Sequence, residues 1–214
     1  RQVDYTYDAL GNRERLAEVD RTQRGPERKT AVRYTANALN QYTRIATDGL
    51  NDAPAYDANG NLTRAQGVTY RHNARNQLIE VMTTNDRMTQ IHDPKGLFIE
   101  RRYFTRGSQG QWIEDATRSL RLVHDAAWNV IEDRDLRGQL RVRYVHGPKI
   151  DEILLREGSD GAKLYPLADG LGSTVALADA GGSVTHRYRY DAYGTPAAFD
   201  AGYAPVPLPT APHR

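Results

Sequence analysis

The chain has 214 residues and a mass of 24.0 kDa, room for one or two ordinary domains. Its 29 basic and 27 acidic residues leave a formal charge of +2, which argues against a dedicated nucleic-acid binder. Cysteine is absent, which excludes a disulfide scaffold and a Cys-ligated zinc site, and no apolar run approaches the ~20 residues of a membrane helix. Membrane insertion is therefore not expected. The first residues, Arg1-Gln2-Val3-Asp4-Tyr5, do not form a signal peptide and begin inside a strand-like pattern, so the chain reads as a piece of something longer. Hydrophobic residues are 39% of the chain, and 13 Tyr stand against 3 Phe and 2 Trp. Tyrosine suits half-buried strand positions, ring packed and hydroxyl wet. Arginine outnumbers lysine 25 to 4, and Arg beside Tyr suits a wet, laddered β surface.

Internal repeats run along the chain. Tyr7-Asp8-Ala9-Leu10-Gly11-Asn12 returns as Tyr56-Asp57-Ala58-Asn59-Gly60-Asn61 and as Tyr190-Asp191-Ala192-Tyr193-Gly194. Looser copies begin at Tyr34, Tyr70, Tyr144 and Tyr165, and His92 and His124 open two more in place of Tyr. The nine starts are 7, 34, 56, 70, 92, 124, 144, 165 and 190, with most gaps of 20 to 27 residues. Each copy has a mechanical reading. Tyr ends a strand, Asp accepts hydrogen bonds from the turn backbone, and Gly or Asn supplies a positive φ. Asn59-Gly60 reads as a two-residue hairpin turn. Between the turns, apolar and polar residues alternate with period two. Leu140, Val142 and Tyr144 face one way, and Arg141 and Arg143 the other. Only Val81 to Gln90 could pass as a short helix, and its Thr83-Thr84-Asn85 centre is a poor helix former. The prolines after Tyr203, at alternate positions 205, 207 and 209, predict a polyproline II tail.

The repeat resembles the YD-repeat, or Rhs-repeat, family. Residues 169–200 are similar to the family's core segment: Asp169-Gly170-Leu171-Gly172-Ser173, a strand, Asp179-Ala180-Gly181-Gly182, a strand, then Tyr190-Asp191-Ala192-Tyr193-Gly194. The resemblance implies an all-β fold of antiparallel hairpins in a curved strip, an arc of a spiral shell or barrel. It divides the chain into a repeat array (1–168), the core-like segment (169–200) and a proline-rich tail (201–214). The residues that define the repeat are Tyr7, Asp8, Gly11, Tyr34, Tyr56, Asp57, Gly60, Tyr70, Tyr144, Asp169, Gly172, Tyr190, Asp191 and Gly194. The repeat tyrosines are expected at equivalent places in successive hairpins. In the family, such shells enclose a C-terminal toxin in bacterial Rhs and Tc-type proteins, and teneurins use a related barrel. Carried over, this implies a secreted or cell-surface bacterial protein. Its partners would be adjacent repeat units of the same or a neighbouring chain, and an enclosed toxin polypeptide. The chain departs from the family after Gly194, where no plug or toxin follows. About nine units are few for a closed shell, so an arc, or subunits that complete one another, is expected. The alternative is an extracellular fibre, sheath or adhesin assembled through strand edges.

Candidate chemistry is sparse, and no catalytic residue, cofactor site or metal site is assigned. Asp93-Pro94-Lys95-Gly96-Leu97 resembles the self-cleavage motif near the end of Rhs cores, but it lies mid-chain at a repeat position, where these are ordinary turn residues. Asp57, Asn59 and Asn61 mimic the start of an EF-hand loop, yet Leu62 and Val68 stand where Gly and Glu are required. Gly172-Ser173 lacks the last glycine of a nucleophile elbow. The six histidines, His72, His92, His124, His146, His186 and His213, have no ligand spacing. Glu132-Asp133 with Asp135 reads as a solvated turn, and Trp112 and Trp128 as core aromatics.

Overall fold

The structure, a computed structural model, describes residues 2–20, 28–47, 49–191 and 193–208. Arg1, His213 and the last part of the proline tail lie outside the described residues. The described chain is all-β: it holds antiparallel strands in two sheets and no helix.

Chain contacts divide the molecule into two units, residues 1–89 with 106–111 and residues 90–105 with 112–214. In the first unit, β1 (Gln2–Tyr7), β2 (Arg13–Asp20), β3 (Arg28–Ala36), β4 (Tyr42–Thr47) and β5 (Leu50–Asp52) form one sheet in chain order. A second meander follows with β6 (Ala55–Tyr56), β7 (Leu62–Ala65), β8 (Val68–His72), β9 (Leu78–Met82) and the start of β10 (Asp86–His92). The stretch from Val81 to Gln90 is thus two strands rather than a helix. Thr83 donates its N–H to Asp86 O at 2.8 Å and its hydroxyl accepts from Asp86 N at 2.9 Å. Thr and Asn here serve the turn, which is why they are poor inside helices.

The second unit is one long meander. Its strands are β11 (Phe98–Arg106), β12 (Trp112–Glu114), β13 (Leu120–His124), β14 (Val130–Arg134), β15 (Leu140–His146), β16 (Ile153–Gly158) and β17 (Lys163–Ala168). They continue with β18 (Thr174–Asp179), β19 (Val184–Tyr190), β20 (Pro196–Asp200) and β21 (Pro205–Val206). β12 folds back on β11, and β13 continues the pairing with it. Part of the tail departs from the polyproline expectation. Val206 pairs with Ala198 and Pro205 with Phe199, so the hairpin pattern runs past residue 200. Proline fits there because an edge strand needs no donor on its open side.

Apolar burial is thin. Leu120, Leu122 and Val130 form the one hydrophobic cluster described, with Phe98 and Tyr144 packed against it. Charge is buried in both units. Glu80 accepts from Arg87 Nε at 2.9 Å and Nη2 at 2.6 Å. Glu100 accepts from Arg102 Nε at 2.6 Å and Arg121 Nε at 2.7 Å. The expected solvated turn at 132–135 is corrected here. Glu132 and Asp133 lie in β14, Glu132 gripped by Arg134 and Asp133 only 2% exposed, accepting from Tyr144 Oη at 2.6 Å. Only Asp135 opens a turn. Arg134 on the same strand and Arg143 and Tyr144 on the paired strand β15 make that burial tolerable, and adjacent acidic letters cannot announce them.

Candidate functional site

One turn is built thirteen times among the described residues, and the copy at 57–61 gives its parts. Asp57 N–H donates to Asn61 O at 2.9 Å and Gly60 N–H donates to Asp57 O at 3.0 Å. Asp57 Oδ1 accepts from Asn59 N and Asn61 N, both at 2.9 Å, and Oδ2 accepts from Asn61 Nδ2 at 2.9 Å. Gly60 sits at φ 85° while Asn59 keeps a negative φ, so the two-residue turn expected at Asn59-Gly60 is corrected. The fold instead uses a type I turn closed by a glycine bulge, which adds one residue and shifts the register between Ala55 and Tyr56. The other copies start at residues 8, 37, 73, 93, 107, 125, 135, 158, 169, 179, 191 and 200. Position one is Asp or Asn except at Gly107 and Gly158, and position four always has positive φ. At Gly158 the acceptor comes from Asp160, whose Oδ1 takes Ala162 N at 3.0 Å; a Cβ on Gly158 would stand 2.5 Å from that oxygen.

The nine sequence starts map onto alternate turns of the meander. In the first unit these are 8–12, 37–41, 57–61 and 73–77. In the second they are 93–97, 125–129, 147–152, 169–173 and 191–195. Alternate turns of an antiparallel meander share an edge. A repeat is therefore two strands, and its aromatic marks one edge. Tyr7, Tyr56 and Tyr190 directly precede their turns, and His72, His92, His124 and His146 hold the same place. Tyr34, Tyr70 and Tyr144 do not: they stand two residues further back, on the same face, so the expected equivalence of the six tyrosines is corrected. Opposite-edge turns at 107, 135, 158, 179 and 200 follow Arg106, Arg134, Glu157, Ala178 and Phe199.

The residue before the turn reaches back to the preceding repeat. Tyr56 Oη donates to Tyr42 O at 3.2 Å, and Tyr190 Oη donates to Thr174 O at 2.7 Å. His146 Nε2 donates to Val130 O at 2.8 Å. In all three, the acceptor is the first residue after the previous turn on that edge. A second link joins turn tips: Asn12 Nδ2 donates to Asn40 Oδ1 at 2.9 Å, and Asn61 Nδ2 to Asn76 Oδ1 at 2.8 Å. Cations cover several rings, with Arg13 4.4 Å over Tyr34 and Arg118 4.3 Å over Tyr103. Sequence reasoning missed this clasp, since its acceptors are backbone carbonyls of any residue type.

Electrostatics follow the same parts. The Asn12, Asn61 and Asn129 side-chain amides, then the turn N–H groups, hold Asp8, Asp57 and Asp125 below the usual carboxylate range. Burial alone would raise Glu100, but hydrogen bonds from Arg121 and Arg102 outweigh it and lower it. Burial, then the Asp133 charge, raises Tyr144.

The remaining candidates take plain positions. Asp93 to Leu97 is a further copy of the turn, with Leu97 N donating to Asp93 Oδ1 at 2.8 Å. Asp169 and Gly172 make another, with Ser173 N on Asp169 Oδ1 at 3.0 Å, and Asp191 and Gly194 a third. Asp8 and Gly11 open the series. Among the described residues, no group of three His, Asp or Glu side chains is placed to hold a metal. Trp128 corrects the core-aromatic expectation: it is 61% exposed, in the fourth place of its turn at φ 72°.

No protein-family model matches the chain, and no curated protein matches it. Solved structures do. The Photorhabdus luminescens Tc holotoxin pore is 16% identical over 91% of this chain, with a TM-score of 0.49. A TcdB2-TccC3 crystal structure is 15% identical over 90% of it, again with a TM-score of 0.49, and TcdB2-TccC3-Cdc42 is 16% identical with a TM-score of 0.45. The chain spans 12% of the length of each of those chains.

Proposed function

We propose that this chain is a non-enzymatic structural YD-repeat segment, part of a β-shell that encloses or presents a secreted toxin polypeptide in a bacterial secreted or cell-surface protein. The observation that carries the reading is the single turn built thirteen times, with three repeats clasped to the one before through Tyr56, His146 and Tyr190. A two-strand unit that bonds its predecessor at one edge extends indefinitely, which is what an enclosing wall requires. The Asp-x-Leu-Gly-Ser and Tyr-Asp-x-x-Gly motifs of residues 169–194 add the toxin context by resemblance. The test is the intact mass and protease resistance of the native product that carries this chain. The expected result is a product well above 24.0 kDa holding a second polypeptide that protease reaches only after denaturation. Filaments of a short subunit would favour the fibre reading. A free product of this length with no protected polypeptide would overturn both.

A further inference from the structure

We propose that one face of the first sheet is a docking surface for an acidic peptide segment, with a side-chain carboxylate of that segment bridging Arg15 and Arg33. This goes beyond the shell reading and does not depend on it.

The first observation is a register. Side chains alternate between the two faces of a strand, and residues paired across strands share a face. Across β1 to β5 one row of partners reads Thr6, Arg15, Arg33, Ala46, Asn51. Arg44, opposite Thr35, stands in the next row on that face. Arg15, Arg33 and Arg44 are all exposed. Among the described paired residues of the face, Asp4 is the one acid, and Gln2 Nε2 donates to it at 3.2 Å. Glu18 and Asp52 lie on the opposite face, with Tyr5, Leu16 and Ile45. Glu14 sits in the bulge before Arg15 and makes no ion pair with it among the described residues.

The second observation is the rule that this row breaks. In the second sheet, Arg71 stands opposite Glu80, Arg121 opposite Glu100, Arg143 opposite Glu132 and Lys163 opposite Glu157. These pairs close at 3.5, 2.7, 3.5 and 3.7 Å. Arg121 and Arg134 also face each other, but Glu100 and Glu132 accept from them. Arg15 and Arg33 face each other with no carboxylate on either among the described residues. Like charges directly opposite are unfavourable, so the row is completed by an acid from outside it.

The third observation names the occupant. Elsewhere the same demand is met by a glutamate held between two arginines, as Glu100 is by Arg102 and Arg121. Guanidinium forks match a carboxylate with parallel bonds. Arg44 gives its Nε to Asn51 Oδ1 at 2.8 Å and keeps further donors for a second acid. Ala17, Ala31 and Ala46 keep the face low. The row crosses about 19 Å at the usual strand spacing, the reach of about six extended residues.

The test titrates the full chain into fluorescein-labelled hexaglutamate, hexaglutamine and a short dT strand, read by fluorescence anisotropy. Hexaglutamate should bind, hexaglutamine should not, and the dT strand should bind no tighter than hexaglutamate. Arg15→Gln and Arg33→Gln should each weaken hexaglutamate binding about three- to fivefold, the worth of one exposed ion pair. Arg137→Gln, at an exposed turn of the second unit, should leave it unchanged. Arg33→Glu sets a carboxylate opposite Arg15, as Glu80 stands opposite Arg71, and should abolish binding while the melting temperature holds or rises. Its loss of binding is then no loss of fold. Equal binding of the two peptides, unchanged binding by both glutamine variants, a lower melting temperature for Arg33→Glu, or tighter binding of the dT strand through the same arginines would overturn the assignment.

Discussion

Replacing Tyr144 with Phe removes one oxygen and leaves the ring against Leu120, Leu122 and Val130. That oxygen donates to Asp133 Oδ2 at 2.6 Å, and Asp133 is 2% exposed. A hydrogen bond to a buried charge contributes about 1.5–3 kcal/mol, so Tyr144→Phe should cost about 2 kcal/mol. At about 2–4 °C per kcal/mol for a chain of this size, the melting temperature should fall by about 4–8 °C. Urea unfolding should show a lower midpoint with an unchanged slope, because the surface exposed on unfolding is the same. The pH dependence separates this bond from packing. Burial and the Asp133 charge raise the Tyr144 pKa in the fold, so the protonated phenol is the form the fold favours. Its contribution is complete below the unfolded value of about 10 and fades as pH climbs through the higher folded value. The gap between wild type and Tyr144→Phe should hold steady from neutral pH to about 10, then close. A loss below about 0.5 kcal/mol, the range of neutral surface changes, would show that the hydroxyl contributes nothing to Asp133.

Tyr56→Phe and Tyr190→Phe should each cost about 0.5–1 kcal/mol in chemical denaturation, less than Tyr144→Phe, because the acceptors are neutral carbonyls near solvent. Gly172→Val should cost about 1–2 kcal/mol, the left-handed penalty at φ 87°, whereas Gly170→Val in the same turn should be nearly neutral in the same measurement. Asp8, Asp57, Asp125 and Glu100 are all lowered in the fold, so their stabilisation is present above the unfolded carboxylate range and should be lost as pH falls below about 4, readable by circular dichroism melts. In isolation the chain should self-associate, since β1 pairs only with β2 among the described residues and +2 gives little repulsion; a stable monomer by light scattering at tens of micromolar, roughly the range where exposed edges pair, would refute this.

The turns were legible because their chemistry is local. Asp57 bonds atoms two and four residues on, and Gly60 answers a φ requirement three residues away, so the whole device fits in five letters. Even so, the letters misread the turn type at Asn59-Gly60, because the same pair serves a primed two-residue turn and a glycine-bulge turn. What decides is Asp57, which can bond both later amides only in the longer loop. Opposite-edge turns went unread at 107 and 158 because Arg106 and Glu157 stand where the aromatic would be. Tyr34, Tyr70 and Tyr144 were placed two residues out for a physical reason as well. In a strand, residues two apart share a face, and an aromatic satisfies that face at either. Glu132 and Asp133 failed differently: their partners, Arg134 aside, come from other strands.

The two edges carry different duties, and this explains the letter pattern better than burial does. With so few buried apolar side chains, a strand pair here gains little from a core. It must gain from bonds repeated at every unit. A side chain directly before a turn is well placed for this, because it stands at the strand end beside the strand that began the preceding unit. Tyr and His suit the place: each spans that distance and ends in a donor, as Tyr56, Tyr190 and His146 do. Phe would pack and leave the carbonyl without that donor. Only one edge needs the clasp, since where it forms, a single bond ties a two-strand unit to the last. The other edge is then free to accept Arg, Glu, Ala or the donor-less Phe before its turns, and it does. A Tyr-Asp pair every second turn, rather than at every turn, is therefore the pattern expected of a strip that grows by hairpins.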